Sequence, residues 1–356
     1  MKNLSYLTIS DIHFGHPRVG ADSILEHFEK FLITHNKHLK HLDMFVVLGD
    51  VTDKPLLNGS HDHSVTTAFF TMLVGYANKN NIHIMLVRGT LSHDGLGLES
   101  FATMVKELTD TSFEYIDEIS LTTFKGYTIL VVPDNTHKHG EEVESYIKEH
   151  YSKVSIDLAF VHRSFHFQLP FHLESSLNMD YFLDKVKYYI HVGHIHKPLT
   201  YRRIIGQGSF DRLTHGQEEI KGAVVTYLTN TGNRWVFLEN KHATIFKRLS
   251  YKKIDIPKIL KDIKKHVLSS HLEILLPSLE MKVLDKKAIL QFTKGYNVSF
   301  KSNDEDDEEN DVILYKPNID AIDLTPQSIY KTLVERTDDD VEEELKNVYK
   351  DMKVKV

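Results

Sequence analysis

The chain has 356 residues, 41% of them hydrophobic, with a formal net charge of −7 and no cysteine. Its size and apolar content suffice for one large domain, or for a large and a small one, and the lack of cysteine excludes disulfides and thiolate metal sites, so that any metal must be held by His, Asp, Glu or Asn. No apolar run approaches the ~18 residues that span a bilayer, and the N-terminus enters a strand without a basic, cleavable leader, so the expected location is cytoplasmic with no membrane contact.

Residues 1–136 alternate strand and helix patterns, the signature of an α/β layer fold. A strand at Leu7-Thr-Ile-Ser10 runs into Asp11-Ile-His13. The segment Ala21 to Leu42 then sets Ile24, Leu25, Phe28, Phe31, Leu32, Leu39 and Leu42 at helical spacing. Its histidines, His27, His35, His38 and His41, read as exposed. The short apolar run at 44–48 ends in Gly49-Asp50, delivering a carboxylate to a sheet edge. A polar stretch with His61, Asp62 and His63 reads as a solvated loop before a helix over Val65 to Asn78. The next strand, Ile82 to Val87, leads into Gly89-Thr-Leu-Ser-His93-Asp94, and a helix is predicted near Leu98 to Leu108.

Lys125-Gly126 marks a hairpin between strands at Ile119 to Phe124 and Thr128 to Val132. A charged helix near Glu141 to His150 follows. Leu158-Ala-Phe-Val161 then runs into His162, and Tyr189-Ile-His-Val192 into Gly193-His194-Ile-His196. From Tyr201 to Leu249 helices are absent, and short strands at Arg202–Ile205, Gly222–Leu228, Arg234–Leu238 and Ala243–Leu249 are expected to complete a sheet.

The composition shifts near Lys247. Residues 247–301 hold thirteen Lys or Arg against five Asp or Glu and read as a small βαβαβ module. On its first helix Ile259, Leu260, Ile263 and Val267 form an apolar stripe, while Lys258, Lys261, Lys264 and Lys265 face water and are candidates for contacts to a DNA backbone. Residues 303–311 carry seven acids and no base. Beyond them, Leu324-Thr325-Pro326 reads as a capped helix start, and Val341 to Met352 as a last helix with Leu345, Val348 and Met352 on one side. The organisation expected is thus a domain over 1–249, a basic module over 250–301, an acidic loop over 302–316 and a helical segment over 317–356.

The chemistry lies at the strand ends. Asp11, His13, Asp50, His162, His194 and His196 each end or closely follow a strand, and residues two apart in an extended segment point the same way. Two divalent ions bridged by one carboxylate, here Asp50, would sit ~3.5–4 Å apart, the spacing used in phosphate chemistry. His93, on the loop after the third strand, suits protonation of a departing oxygen.

Together, Asp11-x-His13, Gly49-Asp50, His93-Asp94, His162 and Gly193-His194-x-His196 resemble the calcineurin-like metallophosphoesterase family. Asp-Ile-His-Phe-Gly, Gly-His-Ile-His-Lys-Pro, Gly208-Ser209-Phe-Asp-Arg212 and Gly216-Gln-Glu-Glu-Ile-Lys-Gly222 narrow the likeness to SbcD-type nuclease subunits, over about residues 1–300. The resemblance implies a four-layer αββα double-sheet domain with a small α/β cap, and two manganese ions with magnesium as the alternative. It assigns Asp11, His13, Asp50 and His196 to the first metal, Asp50, His162 and His194 to the second, and His93 to acid catalysis. It also implies 3′→5′ exonuclease and single-strand or hairpin endonuclease action on DNA, an SbcC-like coiled-coil ATPase partner, and a two-fold homodimer. A small-molecule or cyclic-nucleotide phosphodiesterase, or a DNA-end-binding subunit with weakened catalysis, are the alternatives. Where the family has Gly-Asn-His-Asp, this chain has a loop two residues longer, similar to that of phage-encoded members, with Ser92 where the second-metal Asn would stand.

Overall fold

Four parallel strands, β1 (Leu4–Ile9), β2 (Met44–Leu48), β3 (His83–Val87) and β4 (Phe113–Ile116), alternate with the helices α1 (Ala21–Leu39), α2 (His61–Asn80) and α3 (Gly97–Leu108). This is a computed structural model, describing residues 3–95, 97–134, 139–169 and 173–302. The acidic loop from residue 303 onward and the helices expected after Leu324 and over Val341 to Met352 lie outside the described residues. β2 and β3 are buried at every position, which explains their continuous apolar sequence, since a parallel strand covered on both faces has no wet side.

The hairpin of β5 (Ser120–Phe124) and β6 (Tyr127–Val132) turns over Lys125 and Gly126, both at positive φ, 51° and 84°, as a two-residue turn matched to strand twist requires. β6 continues in parallel with β7 (Leu158–Val161) and β8 (Ile190–Val192), through α4 (Gly140–Tyr151) and α5 (Met179–Lys185). β9 (Leu199–Tyr201) and β10 (Ile204–Gly206) complete this second sheet in the order β5-β6-β7-β8-β10-β9. The chain then returns to the first sheet with β11 (Gly222–Thr229) and β12 (Gly232–Glu239), giving β12-β11-β1-β2-β3-β4. The late strands therefore complete both sheets. The last of them, β13 (Phe246–Ser250), departs from the expectation and founds a third sheet. There it pairs in parallel with β14 (His271–Leu276), which pairs with β15 (Asn297–Ser302), around α6 (Ile256–Ile263), α7 (Ser278–Val283) and α8 (Lys286–Gln291).

Period-two alternation assigns the layers. Leu7, Ile9, Phe45, Val47, Ile84 and Leu86 pack on Phe28, Phe31, Phe69 and Leu73 of α1 and α2. Their neighbours Leu4, Tyr6, Met44, Val46, Leu48 and Met85 face Ile129, Val131, Leu158 and Phe160 of the second sheet. The far side of that sheet, Leu130, Val132, Ala159 and Val161, is covered by Val143 and Ile147 of α4 and Phe182 of α5. The expected four-layer αββα arrangement is the one observed. The small module has its own core, with Ile259 and Ile263 of α6 against Leu272, Ile274 and Leu276.

Three local expectations change. Val267 is not part of the α6 stripe, because the helix stops at Ile263, and it is 62% exposed. His61 and His63 lie in the first turn of α2, not in a loop, because the Ser60 side chain accepts the His63 N–H and caps the helix earlier. His27 is not a plain surface residue, since its Nδ1 sits 2.5 Å from the buried Asp211 carboxylate.

Candidate metal centre

In both sheets the chain leaves the C-terminal ends of the parallel strands carrying the groups that matter. Asp11 and His13 follow β1, Asp50 follows β2, Thr90 and His93 follow β3, His162 follows β7, and His194 and His196 follow β8. Packing the sheets face to face makes two groups, Asp11 with His13 and His196, and Asp50 with His162 and His194, whose ligand atoms lie within 4.8 Å of one another. His13 also belongs to a third, with Asp53 and His93. The six residues expected at strand ends therefore meet.

One oxygen links the first two groups. Asp50 Oδ2 is 3.2 Å from His162 Nε2 and 4.0 Å from His13 Nε2. In the first group His13 Nε2 and His196 Nε2 converge to 3.0 Å, with Asp11 Oδ1 3.7 Å from His196 Nε2. Imidazole nitrogens do not gather around carboxylates in this way unless a cation or protons hold them together.

Neighbouring groups fix the rings. His162 Nδ1–H donates to the Leu48 carbonyl at 2.7 Å, which turns Nε2 inward. That nitrogen is buried and, despite its proximity to Asp50, has no aligned hydrogen-bond partner. A divalent ion satisfies such an orphan, and the Asp/His donor set fits one. Asp53 stands 3.2 Å from His13 Nδ1, the carboxylate–imidazole relation that orients metal-binding histidines. Gln217 meets His196 Nδ1 at 3.1 Å, while the fully buried Lys221 ammonium donates to the His196 carbonyl at 2.7 Å. The Gly208 to Gly222 segment thus braces His196 from behind.

The backbone is strained where the ligands sit. Asp11, His13, Asp50 and His194 all have positive φ, at 53°, 58°, 50° and 80°, a conformation that costs a side-chain-bearing residue about 1–3 kcal/mol. Gly49, also at positive φ (75°), lies so close to His162 that a Cβ would come 2.3 Å from its Nδ1. Such concentrated strain is characteristic of functional sites.

Charge in the pocket is balanced by imidazoles. Burial would raise the Asp50 carboxyl, but His162, His13 and His93 outweigh it and hold it well below the usual carboxylate range. Burial works to lower His162, yet Asp50 beside it drives it up to about 10. His196 is pushed down to about 4 and His194 is also lowered, both chiefly by burial, so these two are neutral and ready to coordinate.

The loop after β3 corrects the sequence reading. Ser92 is exposed, and the hydroxyl turned to the second group belongs to Thr90. Its Oγ1 lies 3.3 Å from Asp50 Oδ2 and 3.4 Å from His194 Nδ1, and its N–H donates to Asp50 Oδ1 at 2.7 Å. Thr90 directly follows Gly89, so counting forward from the glycine would have found it, whereas counting back from His93 gave Ser92. Two acids were also missed as working parts. One is Asp53. The other is Asp94, whose buried carboxylate accepts the backbone N–H groups of Asp50, Val51, Thr52 and Gly89 at 2.7–3.1 Å and so ties the second and third ligand loops together. His93 is at the centre as expected. Its ring packs edge-on to His13 with centroids 4.8 Å apart, and its Nδ1–H donates to the Asp53 carbonyl at 2.6 Å.

Lys258 and Lys261 of α6, and Lys264 and Lys265 just past its end, are all exposed. Lys265 pairs with Asp262 at 2.7 Å and Lys258 lies 5.8 Å over the Tyr251 ring. Among the described residues no helix is long and apolar enough to cross a membrane.

No protein-family model and no curated protein matches the chain. Among solved structures, TT1561 of Thermus thermophilus aligns with 67% of this chain and 100% of its own, at 12% identity and a TM-score of 0.42. GAP50, the anchor in the inner membrane complex of Plasmodium, aligns with 68% of this chain and 86% of its own, at 14% identity and a TM-score of 0.43. Values this low carry no assignment of function. The buried Asp/His cluster itself suits a metal-dependent hydrolase.

Proposed function

We propose that this chain is a two-metal phosphodiesterase acting on DNA, the nuclease subunit of an SbcCD-type complex with a coiled-coil ATPase. The observation that carries the reading is the position of Asp50, one carboxylate oxygen of which faces both histidine groups. Asp11, His13, Asp50 and His196 would hold one ion, and Asp50, His162 and His194 the other, with Thr90 completing the second. Hard oxygen and imidazole donors favour manganese, with magnesium as the alternative. Two such ions, when bound, acidify water toward neutrality and neutralise charge on phosphoryl oxygens. His93, its Nδ1–H fixed on the Asp53 carbonyl, keeps Nε2 for proton exchange with the leaving oxygen.

Support for a polymeric substrate comes from the border with the small module. A cavity of 520 Å³ whose lining includes Arg18, Glu26, His27, Lys30, Lys241 and Thr244 adjoins one of 500 Å³ whose lining includes His215, Glu273 and Tyr296, and both share Arg18, His271 and Asn297, so cations outnumber carboxylates along the first. Arg18 and Lys241 are exposed there, and His215 Nδ1 and Thr244 Oγ1 are buried without a hydrogen-bond partner. Unspent donors and cations along a trough suit a chain of phosphates. Arg18 is five residues from His13, at most ~18 Å of chain from the centre. None of Lys258, Lys261, Lys264 and Lys265 lines either cavity, so the trough is the better candidate path.

The test is manganese-dependent hydrolysis of an end-labelled duplex beside a small chromogenic diester. Cleavage of both is expected. Hydrolysis of the diester alone would make the protein a small-molecule phosphodiesterase, and duplex binding without cleavage an end-binding subunit.

A further inference from the structure

A fully buried polar knot around His191 interrupts the mostly apolar layer between the two large sheets. This residue of β8 is fully buried. Its Nε2 lies 3.0 Å from the Tyr6 hydroxyl and 3.2 Å from Thr226 Oγ1, and its Nδ1 lies 3.2 Å from Thr8 Oγ1. Tyr6 and Thr8 belong to β1 and Thr226 to β11, both in the opposite sheet. The hydrogens distribute without conflict. Thr8 donates to the Val224 carbonyl at 3.4 Å, so its oxygen is open to the Nδ1–H of His191, leaving the single lone pair of Nε2 to be shared by the Tyr6 and Thr226 hydroxyls. The imidazole is therefore neutral in this network, and burial pushes it down to about 3, which excludes it from acid–base work.

We infer that His191 is a positioning residue, a polar pin that sets the register of one sheet on the other and thereby brings the two halves of the metal centre together. The inference rests on the reading of that centre given above. Each ligand group draws on both sheets: Asp11 and His13 meet His196 from the facing sheet, and Asp50 meets His162 and His194. Apolar contact is non-directional and tolerates a small slide of one sheet over the other, whereas three hydrogen bonds converging on one ring do not. The pin is well placed for this. Thr8 stands three residues before Asp11 on β1, and His191 three before His194 on β8, so it acts on the two strands that feed the first group. The cross-sheet bond from His162 to the Leu48 carbonyl lies at the centre itself. The His191 knot lies three residues behind it on both strands and anchors them through Tyr6, Thr8 and Thr226.

The experiment compares wild type with His191→Leu, His191→Gln and a Tyr6→Phe/Thr226→Val double variant. Manganese titration calorimetry and the exchange-coupled Mn(II) pair signal in electron paramagnetic resonance are measured beside melting of the metal-free protein. The expected result is a parallel loss of about tenfold or more in affinity at both sites and a weakened pair signal in His191→Leu. Gln, whose amide reaches the Nε2 position, should restore part of it. The double variant, which keeps the imidazole and removes two hydroxyls, should lose affinity in the same sense and serves if the Leu variant does not fold. Unchanged metal affinities and pair signal in a folded variant, whatever its melting temperature, would overturn the inference. A wild type that binds no metal pair would overturn the centre instead.

Discussion

Thr90 Oγ1 stands 3.3 Å from Asp50 Oδ2 and 3.4 Å from His194 Nδ1, so a hydroxyl, not an amide, faces the second ligand group. A neutral hydroxyl is a weak ligand beside carboxylate and imidazole, and the second ion should bind less tightly than the first. Thr90→Val, close in shape and lacking the oxygen, should weaken the second site about tenfold, while Ser92→Ala should change neither site. Calorimetric titration separates the two. Equal affinity at the two sites in wild type, or an effect of Ser92→Ala, would speak against Thr90.

Asp94 should matter for the fold as much as for the centre. Its carboxylate accepts four backbone N–H groups from two loops, and Asp94→Ala leaves them buried and unpaired. A loss of about 2–4 kcal/mol in unfolding free energy is expected, together with weaker metal binding, because the Asp50 N–H loses its partner and only the carbonyl stays anchored, by the Ile12 and His13 N–H groups. Denaturant unfolding of the metal-free protein reads the first effect directly. A neutral result would mean the loops are held by other contacts.

Metal binding should release protons. His162, driven up to about 10 by Asp50, is protonated near neutral pH in the metal-free protein, and a protonated nitrogen cannot coordinate. The sign follows: affinity rises with pH up to the region of 10 and falls as pH drops, because each binding event must first displace the proton. Calorimetry in buffers of different ionisation enthalpy counts the protons released at pH 7, and a count of zero would contradict the charge balance described for the pocket.

His93 divides its work from the ligands. Its Nδ1 is committed to the Asp53 carbonyl, so His93→Ala should lower turnover by about 10²–10⁴-fold with both metal affinities nearly intact. Loss of metal in that variant would make it a ligand.

Much of this site was legible because its physical signal is local. An apolar run buried on both faces ends abruptly in Asp or His, and this happened at β1, β2, β7 and β8. The alternation of strand and helix marked an α/β layer fold, while the double-sheet arrangement was what the family resemblance implied. What escaped was set by contacts distant in sequence. Asp53 acquires its role from His13, forty residues earlier, and His27 pairs with an Asp211 that lies far along the chain. β4 (Phe113–Ile116) is four residues long and mostly half-buried, too weak a pattern to read. β13 looked like one more strand of the large domain, since nothing in its residues tells which sheet will receive it.

The most direct measurement is anomalous diffraction at the manganese edge from crystals soaked to saturation. Two peaks on either side of the Asp50 carboxylate are expected, ~3.5–4 Å apart, one beside Asp11, His13 and His196 and the other beside His162 and His194. A single peak, or two that do not share Asp50, would contradict the two-metal centre.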